Sequence, residues 1–157
     1  MPKITPFLWF DTQAEDAAKF YVSIFRNSKI GQVVRYGAGA PGPEGQAMTV
    51  TFELDGRHFT ALNGGPVYKL TEAFSLQVDC ADQAEIDRLW DQLTADGGEP
   101  GRCGWLKDRF GLSWQLVPTN MRQLIGGDDP AKSRRAMQAM LQMTKLDIGA
   151  LQKAREG

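Results

Sequence analysis

The sequence predicts an α+β protein in which one strand–helix–strand–strand–strand unit is used twice, followed by a helical tail. Three observations carry this. Extended apolar segments at Ile4–Phe10 and Phe74–Val78 each run into an acidic helix-entry pattern. Each resulting helix is followed by shorter segments with the two-residue alternation of half-buried strands. The pattern then ends near Pro118 and gives way to a helical, methionine-rich stretch.

In the first unit, Ile4 to Phe10 ends at Asp11-Thr12, where Thr12 and Glu15 have the spacing of a capping box. Ala14, Ala17, Ala18, Tyr21, Ile24 and Phe25 form the apolar stripe of a helix reaching about Phe25. A strand is expected over Gln32–Tyr36, then a loop Gly37–Gly45, and then a long strand Ala47–Leu54. There Met48, Val50, Phe52 and Leu54 alternate with Thr49, Thr51 and Glu53. Asp55-Gly56 reads as a turn into a strand over Arg57–Asn63.

In the second unit, Asp82 and Glu85 repeat the capping-box spacing. Ile86, Leu89, Trp90 and Leu93 share a helix face, and Gly97-Gly98 ends the helix. Short strands are expected at Gly101–Cys103 and Trp105–Lys107. A tight turn at Phe110-Gly111 then feeds a last strand, with Trp114 and Leu116 on one face and Ser113, Gln115 and Val117 on the other. The expected division is 1–120 for the paired units (about 1–66 and 67–120) and 121–157 for the tail. In the tail, Asp129-Pro130 starts one helix and Asp147 a second, with Met137, Met140, Leu141 and Met143 as an apolar stripe. That tail fits two readings equally: a cover over the chain's own core, or an arm facing a partner.

Composition narrows the function. The 157 residues, 42% of them apolar and 24% charged, are ordinary for a globular protein and enough to bury roughly 70% of the unfolded surface. A net charge of −1 argues against a nucleic-acid binder. No apolar run approaches the ~20 residues needed to cross a bilayer, and Met-Pro-Lys-Ile-Thr-Pro lacks the form of a secretion signal. Two cysteines make no disulfide framework and match no zinc pattern. These features predict a cytoplasmic protein without membrane or nucleic-acid partners.

The remaining motifs are weak. Gly37-Ala-Gly39-Ala-Pro-Gly42 fits a dinucleotide pattern, but Pro41, Pro43 and Gly45 lead into a strand, so no helix N-terminus is there to hold a phosphate. His58 is the single histidine, and alternation groups it with Thr60 and Leu62, opposite Phe59, Ala61 and Asn63. It reads as a structural or surface residue. Cys80 lies before a helix with no histidine arranged beside it and reads as a buried thiol. Asp11, Asp79 and Asp82 read as helix-entry residues, and Lys132, Arg134 and Arg135 as a solvated helix face.

The strand phases make a stronger case. Phe74, Leu76 and Val78 are expected under the second helix, and Leu8 and Phe10 under the first. The faces turned away from the helices then collect Thr5, Phe7, Trp9, Phe59, Ala61, Asn63, Ser75, Gln77, Ser113 and Gln115. Aromatic walls with a few uncharged hydrogen-bonding groups are the usual lining of a small-molecule pocket. The bland alternative is a wet or dimer-covered sheet face. The predicted ligand-binding residues are Phe7, Trp9, Phe59, Ala61, Asn63, Ser75, Gln77, Ser113 and Gln115, with no metal ligand and no cofactor.

Leu8-Trp-Phe-Asp11, the helix through Ala17-Ala-Lys-Phe-Tyr21, Leu62-Asn-Gly-Gly-Pro66, Phe74-Ser-Leu-Gln-Val-Asp79 and Gly111-Leu-Ser-Trp-Gln115 together resemble the PhnB-like family. That family is also labelled 3-demethylubiquinone-9 3-methyltransferase-like. It belongs to the vicinal oxygen chelate superfamily of glyoxalase I, bleomycin-resistance proteins and extradiol dioxygenases. The tail, Arg135-Ala-Met-Gln-Ala-Met-Leu-Gln-Met143 with Lys145-Leu-Asp-Ile148, is similar to that family's tail. The resemblance implies paired βαβββ modules curving around a cup, in a homodimer. It places the superfamily's metal-ligand positions near Thr5 or Pro6, Ala61, Ala73 and Gln115. Of these only Gln115 offers a side-chain oxygen suited to a cation, and a neutral amide is a poor ligand. Gln115 thus stands where the enzymes keep a glutamate. The resulting expectation is a metal-free cup that binds a small organic molecule. The alternatives are methyl transfer, as the family label has it, or a metal-dependent lyase or dioxygenase. The order of elements provides no methyl-donor motif.

Overall fold

The computed structural model describes residues 2–157. The chain divides into two units, Met1–Leu70 and Thr71–Gly157. In the first, β1 (Phe7–Phe10), α1 (Ala14–Ile24), β2 (Lys29–Arg35), β3 (Ala47–Leu54) and β4 (Arg57–Asn63) follow the expected order. In the second, β5 (Ser75–Cys80), α2 (Gln83–Thr94), β6 (Glu99–Pro100), β7 (Trp105–Lys107) and β8 (Ser113–Pro118) repeat it. Three more helices follow: α3 (Met121–Ile125), α4 (Pro130–Leu141) and α5 (Ile148–Glu156). The sheet orders are β1-β4-β3-β2 and β5-β8-β7-β6, the same permutation twice. Each sheet joins its first and last strands in parallel and the others antiparallel. The chain is α+β, with two βαβββ modules and C-terminal helices.

In the first unit α1 lays Ala14, Ala17, Ala18, Tyr21 and Ile24 on its sheet. They meet Leu8, Phe10, Val50, Phe52, Phe59 and Ala61, all buried. Phe52 stacks on Phe59 with centroids 5.3 Å apart, and Tyr21 lies 6.2 Å from Phe52. The β3–β4 hairpin turns through Asp55 (φ 49°) and Gly56 (φ 73°), the left-handed pair that matches strand twist in a two-residue turn.

The start of α1 departs from the capping box expected at Thr12 and Glu15. Gln13 occupies the cap position and makes no side-chain cap. Instead Asn63 Oδ1, from the end of β4, accepts the Ala14 N–H at 2.8 Å, while Asn63 Nδ2 donates to the Ala47 carbonyl at 2.9 Å. Glu15 is drawn off to Arg35 at 2.9 Å. The second helix keeps its box: Asp82 Oδ1 accepts the Glu85 N–H and Glu85 Oε2 accepts the Ala81 N–H, each at 2.9 Å.

Leu76, Trp114, Leu116 and Leu106 share the face of the second sheet that carries α2, whose Ile86, Leu89, Trp90 and Leu93 are buried. Phe74, expected on that face, precedes the strand and is exposed. The strand expected at Gly101–Cys103 lies two residues earlier, because Gly101 N–H bonds to Trp105 O and the segment is spent on the hairpin turn. Asp108, buried before β8, accepts N–H groups from Phe110 (2.8 Å), Leu112 (3.1 Å) and Trp114 Nε1 (2.8 Å), which fixes the predicted turn at Phe110-Gly111.

The tail belongs to the second unit. The short helix α3 was not anticipated; α4 and α5 start where expected, capped by Asp129 and Asp147. The buried tail residues are Leu124, Ala136, Leu146 and Leu151, whereas Met137 and Leu141 of the anticipated stripe are exposed. Backbone bonds from Cys103 N–H to Met143 O (2.9 Å) and Gly104 N–H to Thr144 O (2.7 Å) stitch the tail to the β6–β7 turn. Gln83 clamps it to α2, donating to Leu146 O and accepting the Ile148 N–H. The tail therefore packs on its own unit. Among the described residues no helix is long and apolar enough to cross a membrane.

Candidate functional site

Each sheet has one face under its helix and one turned away. Strand register decides which predicted residues reach the second. In the first unit Phe7 pairs with Thr60 and Trp9 with Leu62, while Leu8 pairs with Ala61 and Phe10 with Asn63. Neighbours in register share a face, so Phe7, Trp9, Thr60 and Leu62 point away from α1. Phe59, Ala61 and Asn63 point toward it, opposite to their expected placement. Phe59 is core, Ala61 has no exposed surface, and the Asn63 amide is consumed in holding α1 and β3.

The same register carries His58 to the away face, beside Glu53, with His58 Nδ1 3.4 Å from Glu53 Oε1. Both stand near solvent at the hairpin end. Trp9 is fixed as a wall: its Nε1 donates to Gly65 O at 2.9 Å, and the Tyr68 ring meets it edge-on at 5.0 Å. The indole also lies against Gly64, where any Cβ would fall 2.4 Å from it, so the Gly64-Gly65 pair makes room for the ring. Phe7 is 58% exposed.

In the second unit the expected phase holds. Ser75 pairs with Ser113 and Gln77 with Gln115, and Trp105 and Lys107 join them from β7. Gln115 Nε2 donates to Ser75 Oγ at 3.0 Å, and Gln77 Nε2 donates to Asp79 Oδ1 at 2.9 Å. Ser113 is 1% exposed, and its hydroxyl has no hydrogen-bond partner among the described residues. Beside it opens a pocket of about 220 Å³, walled by Glu72, Glu99, Trp105, Lys107 and Ser113. Lys107 Nζ is paired with Glu72. That bond lowers the Glu72 pKa, and it raises the Lys107 pKa, with Glu99 adding to the rise.

Sequence reasoning missed Lys107 and Glu72 because it sought uncharged lining residues, Trp105 because the faces of β7 were not assigned, and Glu99 because β6 was placed too late. Two-residue alternation, Trp105 and Lys107 flanking Leu106, was the signal available for β7. Cys80 is buried, with its Sγ 3.7 Å from Val78 O. Burial, with Glu85 and Asp79 nearby, pushes its pKa up to about 12, so the thiol is inert near neutrality.

The donor set does not fit a divalent metal. Ala61 is buried under α1, Gln115 offers only a neutral amide oxygen, and among the described residues no three His, Cys, Asp or Glu side chains cluster as a metal site.

The duplicated βαβββ unit and its repeated strand permutation define a glyoxalase-like protein. Residues 2–117 match the family model for 3-demethylubiquinone-9 3-methyltransferase, and the chain belongs to that family, the PhnB-like branch of the fold. A Bacillus cereus PhnB protein described as a candidate 3-demethylubiquinone-9 3-methyltransferase is 36% identical. The match covers 74% of this chain and 99% of that one, with a TM-score of 0.69. A Pseudomonas aeruginosa protein (19% identity, 75% and 98% covered, TM-score 0.61) shares the fold. So does a Listeria monocytogenes fosfomycin resistance protein (14%, 78% and 94%, TM-score 0.53). A search of curated proteins gives no match. The tail lies beyond the span matched by the family model.

Proposed function

We propose that this protein binds a small organic molecule on the face of its second sheet turned away from α2, without a metal, and works as a homodimer. The observation that carries the reading is the second sheet's face. There, a paired amide and hydroxyl (Gln115 and Ser75) and an unpartnered buried hydroxyl (Ser113) stand beside a pocket. A buried hydroxyl without a partner costs about 1–3 kcal/mol, a cost that a bound hydrogen-bonding ligand removes. Trp9 gives the first sheet an aromatic surface of its own, of the kind that small-molecule sites use. The exposed apolar side chains Phe7 and Val34 support a second copy as partner.

The family description favours a second reading, methyl transfer. Against it, neither sheet is a doubly wound parallel sheet with a glycine-rich turn into a helix, the usual frame for a nucleotide-like methyl donor.

Native mass spectrometry of gently purified protein tests both, with metals and S-adenosylmethionine added in separate samples. A dimer carrying an organic adduct and taking up neither is the expected result. Stoichiometric uptake of a divalent metal overturns the metal-free reading, and uptake of the methyl donor moves methyl transfer to first place. Gln115→Ala is expected to weaken the retained ligand about fivefold, the worth of one hydrogen bond, and unchanged affinity removes Gln115 from the site.

A further inference from the structure

The pocket on the second sheet has a charge pattern as well as a shape. Three ionisable side chains line it, Glu72, Glu99 and Lys107, for a net charge of −1 with all three ionised. The single cation is already committed, because Lys107 is paired with Glu72. Glu99 faces Lys107 across the β6–β7 ladder and helps to hold its charge, so two carboxylates share one ammonium and the pocket keeps one excess negative charge. The floor is Ser113, whose hydroxyl is buried and unpartnered. The walls are Trp105 and Pro100.

An anionic guest would have to compete with Glu72 for Lys107 and sit against the Glu99 carboxylate. A cationic guest meets the pocket's excess negative charge, an indole and a free hydroxyl lone pair, and leaves the Lys107–Glu72 pair in place. Ammonium groups are attracted both to carboxylates and to aromatic faces, and most strongly where water is partly excluded. We propose that this pocket takes a small organic cation, a primary or secondary ammonium on a compact apolar body. Its N–H groups are shared between Glu99 and Ser113 Oγ, and its carbon skeleton lies against Trp105. The inference rests on the small-molecule reading above and adds the charge class of the ligand. About 220 Å³ limits that ligand to roughly seven waters' worth of liquid volume, the size of a single ring with a short arm.

Three probes of one shape and different charge decide it: benzylamine, benzyl alcohol and benzoate, each titrated into the whole chain while the Ser113 and Trp105 amide resonances are followed by NMR. Benzylamine is expected to move both signals and to bind at least tenfold tighter than the other two. Glu99→Gln, at an exposed strand position, is expected to bring benzylamine down to the affinity of benzyl alcohol. Ser113→Ala is expected to weaken benzylamine while raising the melting temperature of the free protein, since it deletes an unsatisfied buried hydroxyl. Equal or tighter binding of benzoate or benzyl alcohol overturns the cation assignment and leaves the small-molecule reading in place. If none of the three disturbs Ser113 or Trp105, both fall for this face. A lower melting temperature in Ser113→Ala, or no loss of benzylamine affinity, removes the hydroxyl from the proposal.

Discussion

The two units share one topology and reach it by different means. The first has long ladders, with seven-, eight- and seven-residue strands in β2, β3 and β4, and a helix whose start is held from a distance by Asn63. The second has strands of two and three residues in β6 and β7 and a helix that caps itself through Asp82 and Glu85. It makes up the shortfall with the Asp108 carboxylate and with a tail that buries Leu146 and Leu151. A backbone pattern can thus be repeated while its stabilising interactions move from the ladder to side chains. The face turned away from the helix diverges in step: aromatic, threonine and leucine side chains in the first unit, with Glu53 and His58 at the hairpin end, and amides, hydroxyls and charges around Trp105 in the second.

The largest expected effect is at the second unit's hub. Asp108→Ala leaves three N–H groups without their acceptor, two of them in buried residues, and is expected to cost about 3–5 kcal/mol. Hydrogen exchange should show the loss first in β7, β8 and the tail. If protection falls equally in β3 and β4, the two units are not stabilised separately and the comparison fails.

Asn63→Ala is the counterpart in the first unit. It strands the Ala14 N–H and the Ala47 carbonyl, for an expected loss of about 2 kcal/mol by chemical denaturation, and the exchange change should centre on α1.

The smallest effect separates the two helix starts. Asp82→Ala is expected to cost about 1 kcal/mol, as loss of a working cap does, whereas Thr12→Ala should change stability by less than about 0.5 kcal/mol. Equal costs would mean that Thr12 caps α1 in solution and would erase that part of the contrast.

Much of this was legible in the sequence for reasons these variants expose. The Asp82–Glu85 box is local, so spacing alone reveals it. The βαβββ repeat is legible because both helices and the long strands keep their periodicity. In β8, Trp114 and Leu116 alternate with Ser113 and Gln115, and the greasy face can only be the core face. In β4 both phases carry apolar residues, Phe59 and Ala61 on one, Leu62 on the other, so alternation does not orient the strand. Matching Ala61 to Gln115 across the repeat turned the strand the wrong way and counted Asn63 as a pocket residue. Its amide is in fact saturated by Ala14 and Ala47, partners 49 and 16 residues away along the chain. The pocket's charged lining was hidden for a similar reason. Glu72, Glu99 and Lys107 converge only once β5 to β8 are assembled, and their spacing along the chain carries no motif.

The stitching of Met143 and Thr144 to the β6–β7 turn also sets a timetable. Every ladder and helix contact of the first unit lies within the first 70 residues, whereas the second waits for Leu146 and Leu151 before its hydrophobic side is closed. At translation rates of roughly 5–20 residues per second, the chain after Leu70 takes roughly 4–17 s to emerge. Domain-scale folding commonly needs far less than that. On the ribosome, the first module therefore has all its own strands and its helix to hand while the second still lacks Leu146 and Leu151.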